Sequence, residues 1–166
     1  FEQYDGQYVL VLEYVAGQTL RDLLKTAKKA GGGVDSSLTI DICAQICRAL
    51  DYAHALQDDD GKGLQIIHRD LKPDNVMLGD YGEVLVMDWG MAMTVGDGGK
   101  AEPVTTRSSV GGTPAYMAPE MAMADRQQIG VGTDIYLLGA VLYELISGHP
   151  PHIGRTVNEM MDAAAH

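Results

Sequence analysis

The sequence predicts an α+β fold that is mainly α-helical and contains a few short β-strands. Three observations predict this class: a β-branched and aliphatic run near the start, two helix-length segments of which one has three-and-four apolar spacing and the other is almost entirely apolar, and short apolar runs between turn residues. Hydrophobic residues make up 46% of the 166 positions and charged residues 21%, which is the balance of a globular domain with a real core. The length suits one domain or a piece of a larger one.

The first part of the chain predicts a strand and a helix. Residues 8–15 follow the turn signal Asp5-Gly6 and form a strand-like run that Gly17 ends. Thr19 can cap a helix that extends to about Lys29, before three consecutive glycines.

A second helix begins at Ser36 or Ser37. Its core-facing positions follow three-and-four spacing and are Ile42, Ile46, Ala49, Leu50 and Ala53. Cys43 and Cys47 share one face of this helix. We interpret them as small buried residues rather than a metal or redox pair, because they lack CxxC spacing and companion histidines.

The second part predicts short strands, a long loop and a central helix. Residues 76–78 and 84–87 form two strands joined by a turn, and the apolar pair 66–67 precedes them. Residues 94–112 have no periodicity and predict a functional or mobile loop. Residues 134–147 are apolar on nearly every face and predict a buried helix. We expect at most two short strand pairs.

The charge and the apolar stretches restrict the class of partner, and the cysteines indicate the compartment. A net charge of -11 argues against binding to nucleic acid or to anionic lipid, and the longest apolar stretch is too short to span a bilayer. Two cysteines without a disulfide framework indicate a reducing cytoplasm, and a membrane anchor elsewhere in the full-length protein stays open. The chain begins with Phe1 and stops inside an apparent helix, so we expect a fragment.

Three short strings between residues 68 and 120 carry the chemistry. HRDLKPDN occupies positions 68–75, DWG follows at 88–90 and APE at 118–120. Phosphoryl transfer needs a carboxylate to orient an acceptor hydroxyl and take its proton, which Asp70 can supply, and a cation near the phosphate, which Lys72 can supply. Asn75 and Asp88 are hard oxygen ligands suited to Mg²⁺. Each residue alone could be a turn or cap residue, but the ordered set favours catalysis.

With these strings the sequence resembles the eukaryotic-type (Hanks-type) serine/threonine protein kinases, and the bacterial members in particular. The resemblance covers residues 1–166. It implies a partial kinase domain, with residues 1–15 as the end of the small-lobe sheet and the hinge, and residues 16–166 as the helical C-terminal lobe, truncated after the start of a late helix. It also implies transfer of the γ-phosphate of ATP, with Mg²⁺, to serine or threonine hydroxyls of protein substrates.

The resemblance assigns further roles. Leu12 would be the gatekeeper, the backbone of Glu13 and Val15 would face adenine, and Met77 would lie under the ring. Hydrophobic packing alone would explain Leu12 and Met77 equally well.

Two more groups of residues follow from the same resemblance. Thr113 would hydrogen-bond Asp70 and Lys72, and Asp134 would brace the catalytic loop. Arg69 implies a cationic pocket for a phosphate on the activation loop. The candidates to carry that phosphate are Thr105, Thr106, Ser108 and Ser109.

The sequence also departs from the kinase pattern. Trp89 stands where phenylalanine is usual, Leu137 replaces a usual serine, and His152 stands where an aromatic residue is more common. The 166 residues contain no GxGxxG loop and no VAIK-like lysine, so we expect no appreciable activity from this segment alone. A pseudokinase, or a nucleotide-binding regulatory or scaffold module, is the alternative. The intact Asp70, Lys72, Asn75 and Asp88 favour the active enzyme.

Overall fold

The computed structural model describes residues 2–9, 13–95, 101–103 and 111–166. Within these ranges the fold is α+β, as predicted. The α-helices are α1 (Leu20–Lys29), α2 (Ser36–His54), α3 (Pro119–Ala122), α4 (Val131–Ser147) and α5 (Val157–Ala165). The strands are β1 (Glu2–Tyr4), β2 (Gln7–Val9), β3 (Gly17–Thr19), β4 (Ile66–Ile67), β5 (Val76–Gly79), β6 (Val84–Val86), β7 (Met93–Val95) and β8 (Ala101–Pro103).

The strands form three small antiparallel sheets in the described ranges, with the orders β1-β2, β3-β5-β6 and β4-β7-β8. The expectation of at most two strand pairs is therefore wrong. The strands β7 and β8 also lie within or beside residues 94–112, which the sequence predicts to be a loop. Strands of two or three residues are too short to show alternation, and two of the pairings, β3 with β5 and β4 with β7, join residues that are distant in sequence.

The hairpin at the start is confirmed. Asp5 and Gly6 both have positive φ, 49° and 76°, as a tight two-residue hairpin turn requires. The predicted strand over residues 8–15 is correct through Val9 and wrong for residues 13–15, which are not extended into a sheet. Residues 10–12 lie outside the described ranges.

The sequence predicts that Gly17 ends a strand, whereas in the structure Gly17 is the first residue of β3. It pairs with Gly79 of β5, and a Cβ atom at Gly17 would lie 2.1 Å from the carbonyl oxygen of Leu78. Because its φ is also +147°, this close approach of two backbones requires glycine.

The caps of the first two helices fix the segment that leads to the site. Thr19 caps α1 as predicted, since its hydroxyl accepts the Asp22 amide at 3.2 Å. Helix α2 starts at Ser36 as predicted, but Asp35 is its cap and accepts the amides of Ser37 and Leu38 at 2.9 and 3.2 Å. Helix α1 ends before the glycines as expected: Gly31 has a φ of 76°, and the Gly32 amide donates to the Ala27 carbonyl at 3.1 Å.

The core lies between α2 and α4. Ile42, Ile46 and Leu50 are buried as predicted and belong to one cluster with Val141 and Leu145. Helix α4 is not buried on every face, however, because Ile146 is 72% exposed. Cys43 is half-buried and Cys47 is exposed, so the expectation that both are buried is wrong for Cys47.

No helix among the described residues is both long enough and apolar enough to cross a membrane.

Candidate active site

The loop at positions 68–75 connects β4 to β5 and ends in a short 3₁₀ turn, Pro73–Asn75. It is held from α4 by Asp134, whose carboxylate is fully buried. One oxygen of Asp134 accepts the amide of His68 at 2.9 Å and the other accepts the amide of Arg69 at 2.9 Å. The predicted brace is therefore present in the structure.

Asp70 lies at the centre of a hydrogen-bonded cluster. The Thr113 hydroxyl donates to Asp70 Oδ1 at 2.8 Å, and the Lys72 ammonium donates to Asp70 Oδ2 at 2.9 Å. Lys72 Nζ also donates to Thr113 Oγ1 at 2.8 Å. The Asn75 amide nitrogen donates to Oδ2 and to the backbone carbonyl of Asp70, at 3.1 and 2.8 Å. Asp70 is 8% exposed, so these contacts orient its carboxylate without enclosing it completely.

Gly112 lets the Thr113 segment approach the loop. A Cβ atom at this position would lie 2.5 Å from the Met121 side chain and 3.3 Å from the carbonyl oxygen of Arg69. Its φ of +126° is also unfavourable for any other residue. The glycine before Thr113 is thus needed to bring the hydroxyl to Asp70.

The two candidate metal ligands flank one end of the β5–β6 hairpin. The Met87 amide donates to the backbone carbonyl of Asn75 at 2.8 Å, which brings Asp88 beside the start of β5. His68 supports the same corner, since it lies 2.9 Å from the Met87 carbonyl through Nε2 and accepts the Asp70 amide at Nδ1. The Nδ1 contact makes Nε2 the protonated nitrogen of His68.

The donor set of this corner fits Mg²⁺. Asp88 is exposed, and its backbone is in the left-handed conformation with a φ of 59°. One of its carboxylate oxygens accepts the Gly90 amide at 3.3 Å. The side-chain nitrogen of Asn75 donates to Asp70, which leaves the side-chain carbonyl oxygen of Asn75 for a cation. No cluster of three or more His, Cys, Asp or Glu ligands occurs among the described residues. Two oxygen ligands suit Mg²⁺, which usually takes its remaining ligands from phosphates and water.

Arg69 is buried behind this cluster. It is 6% exposed, has a φ of 69°, and donates from Nη1 to the Met91 carbonyl at 3.2 Å. Its Nε has no hydrogen-bond partner within the part of the chain that the structure describes. Burial and, second, the charge of nearby Arg126 lower the pKa of Arg69. A buried guanidinium with a free N–H beside a second cation is suited to an anion.

The candidate adenine contacts are only partly described. Glu13 is exposed, Val15 is half-buried, and Leu12 lies outside the described residues. Met77 is half-buried in the central strand of its sheet, opposite Thr19 and Leu85. Because Thr19 follows Val15 by four residues, the segment after the predicted hinge leads directly into β3, which pairs with the strand that carries Met77.

The departures from the kinase pattern occupy packing positions. Trp89 packs edge-on against the His68 ring with centroids 4.6 Å apart, and donates to the Val86 carbonyl at 3.1 Å. Leu137 is buried in the core. His152 is buried and lies 3.0 Å from the Met117 carbonyl through Nε2.

Sequence reasoning missed His54, whose Nε2 lies 2.8 Å from the carboxylate of Asp134. The signal was available, because His54 follows Leu50 by four residues and so lies on the apolar face of α2. A polar residue on a core-facing position usually has a buried partner.

Comparison with known proteins gives the class to which this fold and site belong. The chain belongs to the protein kinase domain family, which it matches along residues 1–166. It is 40% identical to serine/threonine-protein kinase PknB of Mycobacterium leprae over 145 residues, which cover 87% of this chain and 21% of that protein. PknB of Mycolicibacterium smegmatis gives the same values.

A probable serine/threonine-protein kinase of Streptomyces coelicolor is 39% identical over 145 residues, which cover 87% of this chain and 19% of that protein. The chain thus spans about a fifth of the length of the curated relatives that it matches.

Proposed function

We propose that the full-length protein is a serine/threonine protein kinase that transfers the γ-phosphate of ATP to hydroxyls of protein substrates. The observation that carries the proposal is the cluster in which Asp70 accepts hydrogen bonds from Lys72, Thr113 and Asn75. Membership of the protein kinase domain family supports the same activity. ATP and Mg²⁺ are the cofactors that this family implies.

Asp70 is the proposed catalytic base. Three donors fix its carboxylate, so the side chain meets an acceptor hydroxyl without first having to reorganise. The carboxylate orients that hydroxyl and takes its proton as the new O–P bond forms. Thr113 and Asn75 act through Asp70 and are positioning residues in this scheme.

Lys72 is the proposed cation at the transferred phosphate. Its ammonium has three N–H groups, of which two point to Asp70 and Thr113, and its side chain is 22% exposed. The third N–H is therefore available to a phosphate oxygen. Bound ATP supplies the phosphoryl group, and Mg²⁺ neutralises charge on the phosphate oxygens.

Asn75 and Asp88 are the residues that we propose hold Mg²⁺, through one carbonyl oxygen and one carboxylate. For adenine, we propose the backbone of Glu13 and Val15 with the side chains of Leu12 and Met77. The assignment of Leu12 depends on sequence resemblance, since that residue lies outside the described ranges.

Two further expectations belong to this proposal. Residues 1–166 alone should not catalyse phosphoryl transfer, because they contain neither a GxGxxG loop nor a VAIK-like lysine to hold the ATP phosphates. The catalytic domain should work in the cytoplasm, since both cysteines are free. A pseudokinase is less well supported because Asp70, Lys72, Asn75 and Asp88 are all present.

The test is phosphoryl transfer by the purified full-length protein. We would incubate it with γ-labelled ATP, Mg²⁺ and a peptide library that contains serine, threonine and tyrosine, and then identify the labelled amino acid. We expect label on serine or threonine, loss of transfer when EDTA removes Mg²⁺, and no transfer by residues 1–166. Nucleotide binding without transfer would instead indicate a pseudokinase, and transfer by the isolated segment would contradict its expected inactivity.

A further inference from the structure

Arg21, near the start of α1, contacts three partners that are far apart in sequence. Its Nη1 donates to Glu144 Oε1 at 2.6 Å. Its Nε and Nη2 donate to Asp74 Oδ2 at 3.2 and 3.1 Å, and Nη2 also donates to the Tyr116 hydroxyl. Tyr116 in turn donates to the second oxygen of Glu144 at 2.5 Å. The four side chains form one closed network.

Each partner belongs to a different part of the proposed machinery. Asp74 immediately precedes Asn75 in the catalytic loop. Tyr116 follows Thr113 by three residues, and its amide donates to the Thr113 carbonyl at 2.9 Å. Glu144 lies on α4, the helix whose first turn carries the loop brace Asp134. Arg21 therefore joins α1 to the loop, to the Thr113 segment and to the central helix.

The chemistry of the network favours a fixed geometry. The Glu144 side chain is only 5% exposed and that of Arg21 is 23% exposed, so their ion pair is better shielded from water than a surface pair. Burial alone would lower the pKa of Arg21, but hydrogen bonds to Glu144, Tyr116 and Asp74 raise it above its usual value. Burial and, to a lesser extent, the hydrogen bond to Glu144 raise the pKa of Tyr116, so its hydroxyl stays a neutral donor.

The shape of the guanidinium matters as well as its charge. Arg21 uses three nitrogens to reach two carboxylates and one hydroxyl in different directions. A lysine ammonium is a point charge on a flexible stem and lacks this planar fork. The network thus requires arginine in particular.

We propose that Arg21 is a positioning residue for phosphoryl transfer, which holds the catalytic loop through Asp74 and the Thr113 segment through Tyr116. The inference rests on the proposed kinase function and adds to it a residue outside the three strings HRDLKPDN, DWG and APE. Loss of the network lets Asp70 and Thr113 shift relative to each other. It therefore affects the chemical step more than ATP binding.

The test compares Arg21→Met and Arg21→Lys in the full-length protein. Met retains the apolar stem, and Lys retains the charge without the fork. Lys25→Met is the matched control, because Lys25 is one turn further along α1 and pairs only with exposed Asp22 among the contacts described. The measurements are kcat, KM for ATP, and hydrogen exchange at the amides of Tyr116 and Asn75, well below the unfolding temperature.

We expect Arg21→Met to lower kcat by about ten- to hundredfold, with KM for ATP changed less than about twofold. Amide exchange at Tyr116 and Asn75 should rise, Arg21→Lys should recover part of kcat, and Lys25→Met should match the wild type. A purely structural role would lower the unfolding temperature and leave kcat unchanged.

The outcomes separate the two claims. If the wild type transfers phosphate and both Arg21 variants keep its kcat and exchange rates, this inference is wrong and the proposed function stands. If the wild type itself transfers no phosphate, the proposed function is wrong and the inference falls with it. Should Arg21→Met fail to fold, Arg21→Lys with wild-type kcat and exchange rates still overturns the inference.

Discussion

The carboxylate of Asp134 accepts the backbone amide of Arg69 at 2.9 Å and thereby holds a residue whose φ is 69°. A left-handed conformation at a residue with a Cβ costs about 1–2 kcal/mol, so it persists only where the surroundings enforce it. Asp134 also accepts the His68 amide and contacts His54. One buried carboxylate on α4 therefore holds the conformation of the loop at positions 68–75.

Replacing Asp134 with asparagine should destabilise the domain. The amide nitrogen of asparagine would face a backbone N–H where a carboxylate oxygen now accepts, so we expect a loss of about 2–4 kcal/mol in the free energy of unfolding. Urea unfolding of the full-length protein measures it. Asp51→Asn, on the exposed side of α2, is the control and should change stability by less than about 0.5 kcal/mol. Equal stability of the two variants would show that Asp134 does not brace the loop.

Thr113→Val should slow phosphoryl transfer while Thr113→Ser should not. Valine removes the hydroxyl that donates to Asp70 and accepts from Lys72, and a hydrogen bond to a charged group is worth about 1.5–3 kcal/mol. We expect kcat to fall by about ten- to hundredfold in the valine variant. Steady-state kinetics of both variants check this. A valine variant as fast as the serine variant would remove Thr113 from the mechanism.

Trp89→Phe should be tolerated and Trp89→Ala should not. Phenylalanine keeps an aromatic contact with the His68 ring and loses only the hydrogen bond to the Val86 carbonyl, so kcat/KM should stay within about threefold. Alanine removes the packing and should cost about 2 kcal/mol of stability, since Trp89 is half-buried. Thermal unfolding and kinetics together test the pair. A large loss of activity in the phenylalanine variant would mean that the indole itself is required.

Alanine at Thr105, Thr106, Ser108 and Ser109 should lower the activity of the full-length protein. These positions lie outside the described ranges, and the prediction depends on the unpaired Nε of buried Arg69 and the neighbouring charge of Arg126. A phosphate on the loop would pair with these cations, so the quadruple variant should be about tenfold slower, equivalent to one charge-assisted hydrogen bond. Wild-type protein treated with a phosphatase should be as slow as the quadruple variant. An unchanged rate in the quadruple variant would refute phosphorylation of this loop as an activating step.

Local chemistry made part of the fold predictable. The hairpin at Asp5-Gly6, the Thr19 cap and the apolar face of α2 each depend on residues within a few positions of one another, and each is confirmed. The pairing of β3 with β5 was not predictable in this way, because it joins Gly17 to Gly79 through short strands without alternation. The exposed side of α4 was missed for a related reason: an apolar run reports hydrophobicity but not which faces find partners.

The same distinction applies to the site. The strings that contain Asp70, Asn75 and Asp88 are compact in sequence, and the bonds of Thr113 followed from the resemblance to kinases. Arg21 was missed because its partner lies far away: Glu144 is 123 residues from Arg21. For His54 the spacing from Leu50 indicates a buried partner but not which one, since Asp134 is 80 residues away. Contacts of that range depend on tertiary packing that no local pattern encodes.

The rate of phosphoryl transfer by Asp70→Asn in the full-length protein tests the central claim most directly. Asparagine keeps the size of the side chain but cannot take a proton, so we expect kcat to fall by about 10²–10⁴ with ATP binding retained. Asp80→Asn, in the exposed turn between β5 and β6, should keep the wild-type rate. An Asp70→Asn protein that transferred phosphate as fast as the wild type would contradict the role of Asp70 as the catalytic base.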